Sequence, residues 1–224
     1  MLTDAHWMRL EPLIEACRPK GKTPPQDLRR TLSAILWRHE NGAKWRAGAR
    51  RPARDDVSGR HQHPRPPESS RCRSKGGSSA ERDKREALGR SRGGYGTKAC
   101  VIADGLGRAV AFILAPGQAH ELPHAVPLLE RLPGVPKWVV ADRGFSSHAF
   151  REHIWERGAR PAIPSKQNEA PVACPEWIYT NRNQVERLWA RLKEWRAVAT
   201  RYEKTASSFM GILCLAAALD WLKP

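Results

Sequence analysis

Four polar side chains recur at helical spacing in the stretch YTNRNQVERLWARLK, residues 179–193. On a helix with about 100° per residue they fall within about 60° of one another: Tyr179, Arg182, Glu186 and Lys193. A carboxylate flanked by two cations and a phenol could hold a metal ion beside phosphate groups. The same spacing also fits a solvated helix face with an ordinary Arg182–Glu186 ion pair.

A second carboxylate, Asp142, favours the metal-binding interpretation. The apolar run 137–141 predicts a short buried strand, and Asp142 follows at its carboxyl end, where functional groups gather in α/β sheets. Asp142 and Glu186 are hard oxygen ligands that suit Mg²⁺ or Mn²⁺. Because such ions activate water and stabilise a leaving oxygen, the two carboxylates predict a phosphoryl-transfer site.

The charge of the chain indicates a polyanionic partner. The 224 residues include 39 Lys and Arg against 23 Asp and Glu, a formal net charge of +16. Such an excess is typical of proteins that bind nucleic acid. In that setting Arg182 and Lys193 would contact DNA phosphates, and Tyr179 would hydrogen-bond to a phosphate or stack on a base.

Cysteine and hydropathy patterns narrow the class of protein further. The five cysteines are scattered and form no CxxC pair, so no zinc site is indicated. Their odd number, without a recognisable signal peptide, favours a reducing cytoplasm. The longest apolar run, 209–219, is too short to cross a bilayer and predicts a buried terminal helix, so we expect no membrane association.

The predicted elements divide the chain into three parts. Residues 1–46 contain two amphipathic helices joined by a basic loop, which fits a small DNA-binding unit or a helical hairpin packed on the main domain equally well. Residues 47–94 are basic and poor in apolar side chains, which predicts a disordered segment without core strands. Ordered structure is expected again near Tyr95, in a catalytic domain that spans 95–224.

The third part predicts an α/β domain with a mixed sheet and flanking helices. The strands are expected at 98–103, 108–114, 137–141 and 160–163, and the helices at 121–132, 147–157, 179–193 and 205–222. The first two strands flank an Asp-Gly hairpin turn.

Several stretches together resemble the DDE transposases of insertion sequences, and most closely the insertion-sequence-five group of the IS4/5 superfamily. The spacing Tyr-x2-Arg-x3-Glu-x6-Lys is similar to their signature. The stretches that carry the resemblance are LTDAHWMRLEPLI, DLRRTLSAILWRHENGAKWR, ALGRSRGGYGTK, VVADRGFSSHAF, YTNRNQVERLWARLK, ATRYEK and LAAALDWL. They cover residues 1–46 and 75–224.

This resemblance implies a ribonuclease-H-like catalytic fold and a transposase that works with Mg²⁺ or Mn²⁺ as a homo-oligomer on DNA. Its substrates would be terminal inverted repeats and target DNA in the bacterial cytoplasm, in association with the nucleoid. Asp142 matches the second catalytic and metal-binding acid, and Glu186 matches the third. The auxiliary DNA-binding positions match Tyr179, Arg182 and Lys193.

Three further arginines are candidates for DNA contacts. Arg143 directly follows Asp142, and Arg90 and Arg92 lie in the glycine-rich stretch GRSRGGYGTK. This stretch lacks the spacing of a phosphate-binding loop, and a flexible turn explains it equally well.

The first catalytic acid of the family has no clear counterpart. The family carries it on a strand in a DGT-like motif, whereas this chain has RRPARDDVSGRHQHPRPPESSRCR. Asp56 is the best candidate for this first acid, as catalytic residue and metal ligand, because it precedes His61. Asp104 is a weaker candidate, because hairpin turns favour Asp-Gly for backbone reasons. One hypothesis is that a deletion and a frame shift replaced residues 47–75. Translating the gene across residues 47–75 in the other two reading frames tests this hypothesis. The hypothesis predicts a hidden DGT-like strand in one of them.

Three functional hypotheses remain. An active transposase predicts divalent-ion-dependent cleavage that is lost in Glu186→Gln. A catalytically inactive remnant predicts salt-sensitive DNA binding without cleavage. A partly folded product of a broken reading frame predicts broad proteolysis from residue 47 to about 95 and a non-cooperative melt.

Overall fold

The computed structural model describes residues 2–17, 23, 25–42 and 78–223. The chain divides into two compact units, residues 1–78 and 79–224. Asp56 and residues 47–77 of the predicted basic segment lie outside the described residues.

The first unit contains the two helices that the sequence predicts, α1 (Asp4–Ala16) and α2 (Leu28–Asn41). The side chains of Thr3 and Asp27 accept backbone N–H groups in the first turns of α1 and α2. Gly42 ends α2 in the left-handed region at φ 65°. Arg29 joins the helices, because its Nη2 lies 2.6 Å from Asp4 Oδ1.

The second unit alternates strands and helices. Its described strands are β1 (Gly89–Ser91), β2 (Gly94–Ala103), β3 (Ala109–Pro116), β4 (Trp138–Val140) and β5 (Arg160–Ala162). Its described α-helices are α3 (Ser79–Arg85), α4 (Leu122–Leu129), α5 (His148–Glu156), α6 (Glu176–Tyr179), α7 (Asn183–Lys193), α8 (Arg196–Ala199) and α9 (Ala206–Leu222). Two 3₁₀ turns lie at Arg143–Phe145 and Thr180–Arg182. The predicted mixed α/β composition and order of elements are confirmed.

The described strands form two ladders where the sequence predicts one mixed sheet. Strands β1, β2 and β3 form an antiparallel sheet with β2 in the centre, and β4 pairs with β5 in parallel. Since β4 and β5 are joined through α5, they form a βαβ unit that directs residue 142 to the carboxyl end of the parallel pair.

Ordered structure begins earlier than the expected position near Tyr95. Helix α3 and strand β1 lie within the part of the chain predicted to lack structure. Strand β1 contains only Gly, Arg and Ser, and it pairs Gly89 with Gly96 and Arg90 with Tyr95 through backbone groups. A hydropathy pattern misses such a strand because its side chains carry no apolar periodicity.

Two main apolar clusters hold the second unit together. One joins α7, α9 and β3 and contains the fully buried Leu188 and Leu213. The other joins α4, α5 and the two residues that flank β5, and it contains the fully buried Ile154. The predicted burial of the terminal apolar run is confirmed by α9. None of the described helices combines the length and apolar character needed to cross a bilayer.

Candidate active site

Asp142 lies two residues beyond β4, at the position that the sequence predicts. Its Oδ1 accepts the backbone N–H of Gly144 at 2.8 Å, so Asp142 caps the 3₁₀ turn Arg143–Phe145. No hydrogen-bond donor among the described residues occupies Oδ2. The carboxylate is therefore oriented through one oxygen while the other is available to a ligand.

The turn after Asp142 is held by a polar network around the buried Ser146, which no sequence pattern indicates. Ser146 is 1% exposed and donates its hydroxyl hydrogen bond to Glu169. Arg151 Nη2 donates to Ser146 Oγ at 2.7 Å, and Lys166 Nζ donates to the Ser146 carbonyl at 3.0 Å. The hydrogen bond from Ser146 is the main reason that the pKa of Glu169 is lowered.

Glu186 lies in the first turn of α7, with its side chain 67% exposed and its Oε1 3.5 Å from Arg182 Nη1. The ordinary ion pair that the sequence allows is thus present. Arg182 also lies over the Tyr179 ring, with Cζ 5.8 Å from the centroid. Lys193 is the exposed last residue of α7. Phenol, guanidinium and carboxylate are therefore neighbours, as the helical spacing predicts.

The prediction of one regular helix across 179–193 is wrong in detail. A 3₁₀ turn at Thr180–Arg182 separates α6 from α7. Thr180 Oγ1 and Asn181 Nδ2 donate to the carbonyl of Trp177, at 3.2 and 3.3 Å. Side chains that bond to backbone carbonyls compete with helical hydrogen bonds, which explains the tighter turn.

Helix α7 is fixed to the rest of the unit by Arg191. Arg191 Nη2 donates to the Gly107 carbonyl at 2.6 Å, and its guanidinium binds Asp220 of α9. Leu188 and Leu192 bury the side of the helix away from Glu186 in the core. These contacts set the position of Glu186 relative to the β2–β3 hairpin.

Asp142 and Glu186 line one cavity of about 830 Å³, bounded by β2, α4, β4 and α7. Asp104 and Glu121 also line it, and Arg182 is the single Lys, Arg or His in its described lining. The tertiary structure thus brings the two predicted acids to a common, acidic cavity. Tyr179, Lys193, Arg143, Arg90 and Arg92 are not among the residues that line it.

Both carboxylate oxygens of Asp104 accept hydrogen bonds within the hairpin turn. Its Oδ1 accepts the backbone N–H groups of Leu106 and Arg108, at 3.0 and 2.8 Å, and its Oδ2 accepts the Arg108 guanidinium at 2.7 Å. Burial alone would raise the pKa of Asp104, but the hydrogen bonds from Arg108 and Leu106 lower it. The backbone explanation for this Asp is supported, since its oxygens are already occupied.

The donor set fits one weakly held hard cation. Mg²⁺ is commonly bound by one or two carboxylates together with water and substrate phosphates. Asp142 and Glu186 are two such carboxylates, and both line this cavity. Across residues 2–17, 23, 25–42 and 78–223, no three His, Cys, Asp or Glu side chains group as a metal centre.

The remaining candidate cations lie on the surface of the second unit. Arg143 is exposed in the 3₁₀ turn next to Asp142. Arg90 is exposed in β1, and Arg92 is exposed in the turn between β1 and β2.

Comparison with known proteins identifies the protein family of this chain. A family model described as "Transposase DDE domain" matches residues 57–172, and a second model of the same description matches 139–223. Residues 2–63 match a model described as "Putative transposase of IS4/5 family". The chain therefore belongs to the DDE transposases, and its particular family is the IS4/5 family of insertion sequences. The matched ranges run through residues 47–75, where a frame shift was hypothesised.

Two relatives support this assignment. The chain is 33% identical over 129 residues to "Putative transposase for insertion sequence element IS6501" of Brucella ovis, which covers 57% of this chain and 98% of the relative. It is 26% identical over 134 residues to the corresponding protein of element IS402 of Burkholderia cepacia, covering 55% of this chain and 62% of the relative. No solved structure matches the chain. Family membership implies a divalent metal ion and DNA binding.

Proposed function

We propose that this transposase binds the terminal inverted repeats of an insertion sequence and catalyses metal-dependent DNA cleavage and strand transfer. The observation that carries the proposal is the shared cavity of Asp142 and Glu186, residues separated by 44 positions in the chain. Both are carboxylates in a protein of net charge +16, so an acidic cavity within a basic surface can bind a cation next to DNA.

Asp142 and Glu186 are the residues that would hold Mg²⁺ or Mn²⁺. When bound, such an ion stabilises the charge that develops on the attacking and leaving oxygens of phosphoryl transfer. The Gly144 N–H keeps the Asp142 carboxylate oriented, with Oδ2 left for the ligand. Arg182 holds Glu186 in the free protein and is positioned to exchange this ion pair for a DNA phosphate.

DNA contacts outside the cavity are proposed for exposed cations. Arg143 is adjacent to Asp142, and Lys193 ends the helix that carries Glu186. Arg90 and Arg92 extend the basic surface along the β1–β2 hairpin, and Tyr179 offers a phenol to a phosphate or base. Residues 1–46 are proposed as a DNA-binding unit, and the active form is proposed to be a homo-oligomer on DNA.

A ribonuclease-H-like sheet is the proposed architecture of the catalytic domain. An antiparallel hairpin and a parallel βαβ pair, with an acid at the carboxyl end of the parallel strand, support this assignment. Asp56 is proposed as the third acid. It lies outside the described residues, so its role is tested by substitution.

The experiment is nicking of labelled DNA that carries the cognate ends, with Mn²⁺, by the protein and by Glu186→Gln. The matched control is Glu156→Gln, because Glu156 is an exposed helical carboxylate outside the cavity lining. We expect nicking by the protein and the control, and none by Glu186→Gln. Loss of nicking in Asp56→Asn as well would support Asp56 as the third acid. Equal nicking by Glu186→Gln would overturn the proposed site.

A second candidate function is DNA binding without cleavage. The observation that favours it is that no group of three potential metal ligands occurs among the described residues, where Asp142 and Glu186 share the cavity. This function predicts salt-sensitive binding of terminal-repeat DNA and no nicking with either Mg²⁺ or Mn²⁺.

A further inference from the structure

The orientation of the Asp142 carboxylate depends on the turn that follows it. Asp142 Oδ1 accepts the Gly144 N–H at 2.8 Å, and the Asp142 carbonyl accepts the Phe145 N–H at 3.1 Å. Both donors belong to the 3₁₀ turn Arg143–Phe145. Because hydrogen bonds are short and directional, a displaced turn would rotate or release the carboxylate. The groups that hold the turn therefore also hold the proposed metal ligand.

The turn is held at its end by Ser146. The Ser146 N–H donates to the Arg143 carbonyl at 3.1 Å and closes the turn. Its carbonyl accepts Lys166 Nζ at 3.0 Å. Its hydroxyl accepts Arg151 Nη2 at 2.7 Å and donates to Glu169. All the polar groups of this buried residue are thus hydrogen-bonded, so moving Ser146 would leave buried groups unsatisfied.

Arg151 joins this turn to the end of the neighbouring strand. The same Nη2 that donates to Ser146 also donates to the carbonyls of Ile163 and Pro164, both at 3.3 Å, directly after β5. The Arg151 side chain is 13% exposed, so water competes little for these hydrogen bonds. Hydrogen bonds from a charged donor are stronger than those between neutral groups. Arg151 therefore holds together the segments that follow β4 and β5.

Glu169 brings the loop between β5 and α6 into the same network. Its carboxylate accepts the Ser146 hydroxyl and also the Lys166 N–H, the second at 3.2 Å. Arg151 Nη2 lies 3.6 Å from Glu169 Oε2, so the guanidinium also attracts this carboxylate. After the loop the chain continues through α6 to α7, which carries Glu186. The network thus connects the turn of one predicted acid to the segment that leads to the other.

We propose that Ser146, Arg151 and Glu169 are positioning residues of the transposase, which set its affinity for Mg²⁺ or Mn²⁺ by fixing the orientation of Asp142. The inference rests on the proposed metal site and adds the residues that preorganise it. None of the three lines the cavity, so they act on a bound ion through the Asp142 turn. Loss of a group that orients a metal ligand commonly weakens metal binding by about 10–100-fold.

The first test compares Mn²⁺ binding by Ser146→Ala and Thr97→Ala in the full chain without DNA, measured by electron paramagnetic resonance. Thr97 is a matched control, because its hydroxyl donates to the Ala87 carbonyl at 2.7 Å and accepts the Arg201 guanidinium outside the cavity lining. We expect about tenfold weaker Mn²⁺ binding in Ser146→Ala and unchanged binding in Thr97→Ala. Equal weakening in both variants would show a general loosening of the fold and would overturn the inference.

A second pair of variants separates Mn²⁺ affinity from stability. Glu169→Ala removes the acceptor of the Ser146 hydroxyl, whereas Glu169→Gln keeps an acceptor oxygen and removes only the charge. We expect Glu169→Ala to bind Mn²⁺ about tenfold more weakly and Glu169→Gln to bind it as the protein does. Equal Mn²⁺ affinity in the two variants would contradict the positioning role.

Asp142→Asn is the reference that separates this inference from the proposed function. It changes a proposed metal ligand directly, so it should weaken Mn²⁺ binding at least as much as Ser146→Ala does. If Asp142→Asn binds Mn²⁺ as tightly as the protein does, the proposed metal site is wrong and the inference falls with it. If Asp142→Asn binds Mn²⁺ weakly while Ser146→Ala binds it normally, the metal site stands and the positioning role is wrong.

Discussion

Arg191 of α7 and Asp220 of α9 form a bidentate ion pair, with Nε 2.9 Å from Oδ1 and Nη2 2.9 Å from Oδ2. The Asp220 side chain is only 6% exposed. The same guanidinium reaches the Gly107 carbonyl, so one side chain joins the helix of Glu186, the terminal helix and the hairpin turn. The ion pair with Asp220 is also the main cause of the raised pKa of Arg191.

We expect Arg191→Ala to destabilise the protein by about 3 kcal/mol, because it leaves the buried Asp220 carboxylate without its main partner. The measurement is urea unfolding at neutral pH. Arg187→Ala is the control, since Arg187 is exposed on the same helix, and it should change the free energy of unfolding by under about 0.5 kcal/mol. Equal effects of the two substitutions would contradict the role of Arg191.

Gly144→Ala should damage the metal site without unfolding the domain. A Cβ at this position would lie 2.9 Å from Asp142 Oδ1, so the carboxylate must move from its orientation. We expect about tenfold weaker Mn²⁺ binding, in the range seen when groups that orient metal ligands are lost. Titration calorimetry measures it. Gly211→Ala is the control because Gly211 lies outside the cavity lining and a Cβ there meets no atom within 4 Å.

Gly107→Ala should lower stability by about 1–2 kcal/mol, the usual range for a non-glycine residue held in the left-handed region. Gly107 has φ +75°, and its added Cβ would lie 2.7 Å from the Gln184 side-chain oxygen. Thermal unfolding of Gly105→Ala supplies the comparison, since Gly105 occupies the same turn with open space around it. A melting temperature for Gly107→Ala equal to that of the control would refute the prediction.

The contribution of Glu169 to stability should depend on pH. Hydrogen bonds from the Ser146 hydroxyl and the Lys166 N–H lower its pKa from the usual 4.5. Because the pKa of Glu169 is lower in the folded state, its carboxylate stabilises the fold fully above pH 4.5. This stabilisation is lost as the pH falls through the folded-state pKa. We expect Glu169→Gln to melt lower than the protein at pH 7, with the difference shrinking below pH 4.5. A difference that is constant from pH 7 to 3 would argue against this.

The sequence predicted features whose causes are local. Asp142 follows an apolar run, so its place at a strand end could be inferred from neighbouring residues. Asp104 followed by Gly105 predicts a turn because Asp-Gly has backbone preferences of its own. The apolar run that forms α9 indicated a buried helix by composition alone.

Tertiary structure alone decided the features that depend on distant residues. Strand β1 forms through backbone pairing that no side-chain pattern records. Ser146, a small polar residue, is buried because Arg151 and Glu169 satisfy it from other elements. The placement of Asp142 and Glu186 along one cavity depends on how ladders and helices pack, and packing is a property of the folded chain that local spacing does not encode.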